Sequence, residues 1–473
     1  MTKIPRAGDE TKMTDKYSMD LTTGSVGKKL FVFSMPFLIS MVLQAFYSVV
    51  DMLVAGRYMG EIGTSAVNNS SIMTNFITGV AAGFALSGTV LVAQYIGAKR
   101  PEEAKSTIGT LFSIFIIGAI VITVFGIIFS GNILSFLNTP AEAVREAQRY
   151  LIICFAGTIF ICGYNAVSSV LKGLGDSRRP LYFVIFATIL NVGLDILFVG
   201  PMQMGAAGAA LATIIAQASS FFLAVHTLKR SDFIFDFKKE SFVIDRDKLI
   251  KIIKIGIPSA IQSTAVNLSI IFVTSNVNQY GLVASAAVGV CGKVDSFAIL
   301  PNVAMNQAVA SMAGQNLGAQ KYDRVSRTTN IGILINLAFS FAIFLVVRTF
   351  CTEIVGLFNC KEDGMAIAQV YMSIVTYSYL FNAYTFIMNG LATGSGNSMF
   401  ALLNTFINMI LARLPLMYYF ETHRGMGLVG IFWAMGFSQV FGCLAGFLFY
   451  VSKKWRKSLV NPESGKNSAE KNS

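Results

Sequence analysis

Long apolar runs, interrupted by short polar segments, recur along the whole chain. Runs of spanning length fall near residues 30–54, 65–92, 106–134, 149–171, 181–200, 206–228, 252–279, 283–310, 328–347, 366–390, 399–420 and 426–451. Crossing a bilayer's hydrocarbon core takes roughly 20 helical residues. The pattern therefore predicts an all-α membrane protein with twelve transmembrane helices. The longest polar connector, 229–251, separates a six-helix lobe at 30–228 from a second at 252–451. Segments 1–29 and 452–473 read as polar tails. The first of them has no apolar stretch and no small-residue cleavage site, so the first run is expected to start insertion and to remain in the membrane.

Composition agrees with a lipid solvent. Of the 473 residues, 54% are hydrophobic and 13% are charged, against about 25% charged in a soluble domain. The net charge of +12 would suit nucleic acid if it were clustered on one domain. Here the charges lie between apolar runs, so no nucleic-acid partner is expected and the bilayer is the implied partner. With the N-terminus inside, the outer loops hold only Arg57, Arg145, Arg149, Arg348, Lys361 and Arg424, and Lys293 and Arg413 fall within spans. The remaining Lys and Arg of the 37 lie on the inner side. That bias predicts a multi-pass protein of the cytoplasmic (inner) membrane with both termini cytoplasmic. The six cysteines form no CxxC pair, and His226 and His423 are far apart, so no metal centre or cofactor is expected. Cys351 and Cys360 fall near one outer loop, which leaves a disulfide between them open.

The two halves repeat. Pro36 matches Pro258 at an offset of 222, and QYIGAKR (94–100) matches QNLGAQK (315–321) at 221. GLGDS (173–177) matches GSGNS (394–398) at 221, and GAAGAALATIIAQ (205–217) matches GLVGIFWAMGFSQ (427–439) at 222. Each half has an even number of spans, so the copies insert in the same orientation. Two pseudosymmetric lobes around a central cleft follow, with alternating access as the expected mode of action.

Charged side chains inside a bilayer cost roughly 2.5–3.5 kcal/mol on insertion scales, so intramembrane acids are the first place to look for function. Asp51 lies late in the first span and Asp195 late in the fifth, and both spans run outward. Thr213 lies early in the sixth, which runs inward, so all three reach a similar depth. Asn191 precedes Asp195 by one turn, and Tyr47 and Gln44 share the face of Asp51. Two carboxylates brought together can hold one shared proton. With the oxygens of Asn191 and Thr213 they can also offer hard ligands to Na⁺. The plainer alternative is that Asp51 and Asp195 cap helix ends. The positions that match Asp51 and Asp195 at these offsets are Val273 and Leu416, so the pair has no copy in the second half. That half holds Lys293, Asp295 and Arg413 instead, readable as a buried ion pair or as charges that steer a cationic substrate. Pro36 sits mid-helix, where it removes a backbone hydrogen bond and favours a kink.

At these residues the chain resembles the multidrug and toxic compound extrusion (MATE) family of cation-coupled antiporters. The features that carry the resemblance are YSVVDMLVAGRYMG on the first span, QYIGAKR after the second, LKGLGDSRRP leading into NVGLD on the fifth, and ARLPL on the eleventh. The resemblance implies a V-shaped pair of lobes that exports amphipathic, cationic drugs or toxic organic compounds as a monomer, in exchange for inward H⁺ or Na⁺. It implies a coupling set of Asp51, Asn191, Asp195 and Thr213, a substrate cavity that includes Gln44, Tyr47 and Asn165, and a hinge at Pro36. Lipid-linked oligosaccharide flippases of the related fold are the alternative. A membrane enzyme would need a clustered catalytic constellation, and the chain offers none.

Overall fold

A computed structural model describes residues 18–137, 139–231, 233–358 and 362–460. The side chains of Met52, Glu61, Ile62, Thr64, Asn68 and Asn69 lie outside that description. Cys360 and Lys361 also fall outside it, so the pairing of Cys351 with Cys360 lies beyond the described residues.

The first half folds as α1 (Val26–Tyr58), α2 (Gly60–Gly97), α3 (Pro101–Ile128), α4 (Ser130–Phe136), α5 (Ala141–Ala156), α6 (Thr158–Gly173), α7 (Arg178–Val199) and α8 (Gly205–Lys229). The second half follows with α9 (Arg246–Asn278), α10 (Leu282–Ala298), α11 (Leu300–Gly318), α12 (Tyr322–Thr349), α13 (Cys351–Gly356), α14 (Glu362–Val375), α15 (Ser378–Gly394), α16 (Ser398–Phe406), α17 (Arg413–Tyr418) and α18 (Gly427–Val451). Among the described residues ten helical stretches are long and apolar enough to span, and α5 with α6, bent by 46°, makes an eleventh. The run at 366–390 is met by α14 and α15, divided by a short break.

The repeat extends to the breaks. The bend between α5 and α6 falls at Gly157, and its counterpart between α14 and α15 falls at Thr376–Tyr377. Short α4 after α3 is matched by short α13 after α12. Packing repeats too. The pairs α2·α6, α3·α6, α6·α8 and α7·α8 recur as α11·α15, α12·α15, α15·α18 and α17·α18. One departure is instructive. α7 is uninterrupted, but α16 and α17 are joined by a π-helical stretch, Ile407–Ala412. A π turn takes more residues than an α turn, and it accommodates the one-residue change of offset, from 221 to 222, between GSGNS and GLVG. A second π-helical stretch, Tyr419–His423, follows before GLVG, so Asp195 matches Leu416 at an offset of 221 or Met417 at 222, and both are apolar.

Local chemistry places the helix ends. Pro101 opens α3 with Glu102 and Glu103 in its first turn, where a fixed φ and negative charge are favoured. Gly175 takes φ +85° before α7, and Asp176 Oδ1 accepts the amides of Arg178 and Arg179, each at 3.0 Å. Asp176 also pairs with the buried side chain of Arg179.

The chain forms two compact units. One takes residues 18–23 and Ile39–Ile253; the other takes Gly24–Leu38 and Lys254 onward. These do not follow the sequence halves. The start of α1 belongs with the second unit: Leu30 is fully buried, Phe31 stacks on Phe339 at 6.3 Å, and Arg324 donates to the Gly24 carbonyl at 2.7 Å. The 229–251 connector is an ordered part of the first unit. Phe235 is 2% exposed and packs edge-on against Phe112, Phe237 and Phe242 at 5.3–5.4 Å. Asp236 pairs with Lys105 at 3.1 Å, and the Ser241 hydroxyl, the Lys238 amide and Lys105 hold its carboxyl well below the usual range. Gly109 on α3 is required there, because a Cβ would stand 2.1 Å from the Ser241 carbonyl.

Candidate functional site

In the first unit, α1 and α7 bring Asp51 and Asp195 together. Their carboxyl groups stand close enough to share a hydrogen bond once either carries a proton. Asp195 is 1% exposed and Asn191 3%. Asn191 lies one turn from Asp195 on the same face and beside it. Among the described residues, Asp51 Oδ1, both oxygens of Asp195 and both polar atoms of the Asn191 amide have no hydrogen-bond partner. Buried polar atoms are nearly always paired, and several such atoms converging in one place mark an unfinished coordination shell.

Tyr47 lies within electrostatic range of both acids, one turn before Asp51. Gln44, one turn earlier again, is exposed. Thr213 is half-buried on α8, the helix packed along α7, and its hydroxyl has no protein partner among the described residues. Asn165 is placed differently: its amide donates to the Ile161 carbonyl of its own helix at 2.9 Å. Pro36 lies inside α1, which continues through it as one helix.

Two further groups adjoin the cluster, and the pattern of the chain does not single them out. Tyr150 on α5 lies close to Tyr47, Asp51 and Ser71, and Cys154, one turn on, adjoins Thr74 and Tyr150. The repeat holds a signal for Tyr150, because Tyr371 stands 221 residues later.

The second unit carries a different polar cluster. Asp295 on α10 accepts the hydroxyls of Tyr371 at 2.6 Å and Tyr379 at 2.5 Å. Arg413 on α17, 5% exposed, donates through Nε to Ser438 Oγ at 3.3 Å and through Nη1 to Ser269 Oγ at 3.2 Å. The two charges lie within electrostatic range of each other. Each is held by hydroxyls, and among the described residues they form no direct ion pair. Lys293 is not part of this cluster. It is exposed, with Nζ 5.7 Å from the Phe358 ring centroid, so the reading of a buried pair that includes Lys293 does not hold. Its exposure follows from its position on α10, two residues from Asp295 and so on another face.

Comparison with known proteins identifies the architecture. The MatE family model matches twice, over residues 36–197 and 258–419. The probable multidrug resistance protein YpnP of Bacillus subtilis is 30% identical over 446 residues, covering 92% of this chain and 97% of that protein. The probable multidrug resistance protein YoeA of Bacillus subtilis is 26% identical, covering 95% and 99%. A solved structure described as the outward-facing conformation of a multidrug resistance MATE family transporter superposes with a TM-score of 0.88 at 21% identity, over 93% of this chain and 98% of that one. Apolar spans throughout the described residues, a family model matched in both halves and relatives aligned over almost their full length place the chain in the MatE family of multi-pass multidrug efflux transporters.

Proposed function

We propose that the protein is a secondary antiporter that exports amphipathic, cationic compounds in exchange for inward H⁺ or Na⁺, with Asp51 and Asp195 as the exchange site. The reading rests on one observation above all: five polar atoms of Asp51, Asn191 and Asp195, in one buried place, have no protein partner among the described residues. A shared proton would satisfy the two carboxyls. A Na⁺ ion would take the carboxylate oxygens, the Asn191 carbonyl and the Thr213 hydroxyl, since hard cations favour oxygen ligands.

A cation that fills this site neutralises the acids and weakens their hold on a cationic drug, and drug and coupling ion thus exclude one another. A one-for-one exchange of monovalent cations moves no net charge, so the ion gradient alone drives it. A tenfold gradient supplies about 1.4 kcal/mol, enough for a roughly tenfold drug gradient. The distribution of Lys and Arg supports a cytoplasmic-membrane location with both termini inside, and the protein works as a monomer without a cofactor.

Proteoliposomes loaded with an amphipathic cation, with ΔpH and ΔNa⁺ imposed separately, test the reading. Efflux should follow one of the two gradients. Efflux that follows neither, or that needs ATP, would refute it.

A further inference from the structure

The repeat sets the two polar clusters in register. Arg413 lies within one residue of the position that matches Asn191, at an offset of 221 or 222. On α9 Ser269 is the partner of Tyr47, also at 222, and on α14 Tyr371 is the partner of Tyr150, at 221. Each unit therefore has a polar cluster at the same place in its own fold. In the first, Asn191, Tyr47 and Tyr150 lie around two acids, three of whose oxygens have no well-formed hydrogen bond among the described residues. In the second, apolar residues replace those acids, Val273 on α9 and Leu416 or Met417 on α17, and the Arg413 guanidinium lies beside Ser269, the match of Tyr47.

We propose that Arg413 is a tethered cation. Its guanidinium occupies in the second unit the place that an exchangeable cation takes in the first, and Asp295, held by Tyr371 and Tyr379, is its fixed counter-charge. Tyrosine hydroxyls bond both oxygens of Asp295, and serine hydroxyls take two of the five N–H groups of Arg413. Arginine suits this use because it stays charged at every relevant pH and is more weakly hydrated than an ammonium. A charge fixed by a covalent tether cannot exchange with the medium. Cation exchange is thereby confined to the first unit, and the second behaves as permanently loaded. This inference rests on reading the first-unit cluster as a cation site.

If Arg413 fills a cation site, removing it should leave one that a free cation can enter. The test uses the full-length purified protein carrying Asp51→Asn and Asp195→Asn, so that the first-unit site is silent whether or not it couples transport. Thermal unfolding is followed as methylguanidinium or Na⁺ replaces choline at constant ionic strength. Arg413→Gln in this background should melt lower than its parent, and its melting temperature should climb with the logarithm of one of these cations, as ligand linkage requires. The parent should not respond, and adding Asp295→Asn should abolish the response. A folded Arg413→Gln protein indifferent to both cations would overturn the proposal, as would a response that persists without Asp295. If Arg413→Gln cannot be purified, Asp295→Asn with Arg413→Gln removes both charges and should restore folded, cation-insensitive protein. Failure of that double variant to fold would also overturn it, because the cluster would then be packing rather than charge balance.

Discussion

In the first unit, Asp51 and Asp195 come from α1 and α7, face each other, and leave three carboxylate oxygens without donors among the described residues. In the second, the single acid Asp295 takes a hydroxyl on each oxygen, and its opposite charge, Arg413, is itself held by two serines. Both clusters are largely buried, with Asp51 and Asp295 half-buried, and both lie at matched places in the repeat. The difference is in what each still lacks. A group whose bonding is complete inside the protein resists exchange, because every departure leaves a buried polar atom unpaired at about 1–3 kcal/mol. A group with open lone pairs invites a proton or an ion. What sets the first cluster apart is that two acids face each other with incomplete bonding, whereas the unpaired oxygens of Asn336, Asn404 and Asn408 in the second unit belong to neutral amides.

The sharpest way to break this comparison is Asp51→Asn. It keeps size and polarity but cannot hold an exchangeable cation. The variant should reach the membrane in normal amount and confer no drug resistance. Drug binding should be retained in part, since a neutral side chain resembles the ion-loaded acid, whereas its dependence on pH or Na⁺ should vanish. Asp195→Asn should be nearly as severe. Resistance assays alongside quantitative blotting of membranes check both, and wild-type resistance in either would place the exchange site elsewhere.

The second unit should respond in the opposite sense. Tyr379→Phe deletes one of two donors to Asp295 and should lower stability by about 1–3 kcal/mol, seen as a lower melting temperature, while transport by the folded fraction keeps its ion dependence. A lost ion dependence with unchanged stability would move Asp295 into the exchange machinery. Thr213→Ala removes one neutral ligand from the first-unit site. It should weaken cation affinity and reduce efflux without abolishing it, as read from the concentration dependence of cation-driven efflux. Lys293→Met should do least. Its side chain is exposed and unbonded to Asp295, so the amount of folded protein should hold; a large loss would contradict its placement.

Most of the fold and the centre of the site are legible in the amino-acid sequence. Spans are readable because lipid accepts only long apolar helices, and the repeat because one offset recurs at Pro36, QYIGAKR and GLGDS. Asp51, Asn191 and Asp195 stand out because acids and amides are rare in such surroundings. Tyr150 shows in the sequence only as the match of Tyr371 and Cys154 not at all, since it is the fold that brings both to the acids. The π-helical stretches Ile407–Ala412 and Tyr419–His423 show in sequence only as a one-residue drift of the offset between GSGNS and GLVG. The connector reads as polar by composition. Its Phe235, Phe237 and Phe242 become a packing face only when α3 presents Phe112 and the bare Gly109. Lys293 and Asp295 look like neighbours in sequence, but a helix turns residues two apart onto different faces.

The central claim is that drug and cation exclude each other at Asp51 and Asp195, and purified protein allows this to be measured directly. Wild type is equilibrated with ²²Na⁺ at one pH, or with a pH indicator in weak buffer, and a saturating amphipathic cation is added. The account predicts release of bound Na⁺ or H⁺ from the wild type on drug binding, and none from the Asp51→Asn, Asp195→Asn double variant. Equal release from the double variant, or drug binding by the wild type with no ion released at any pH, would contradict it.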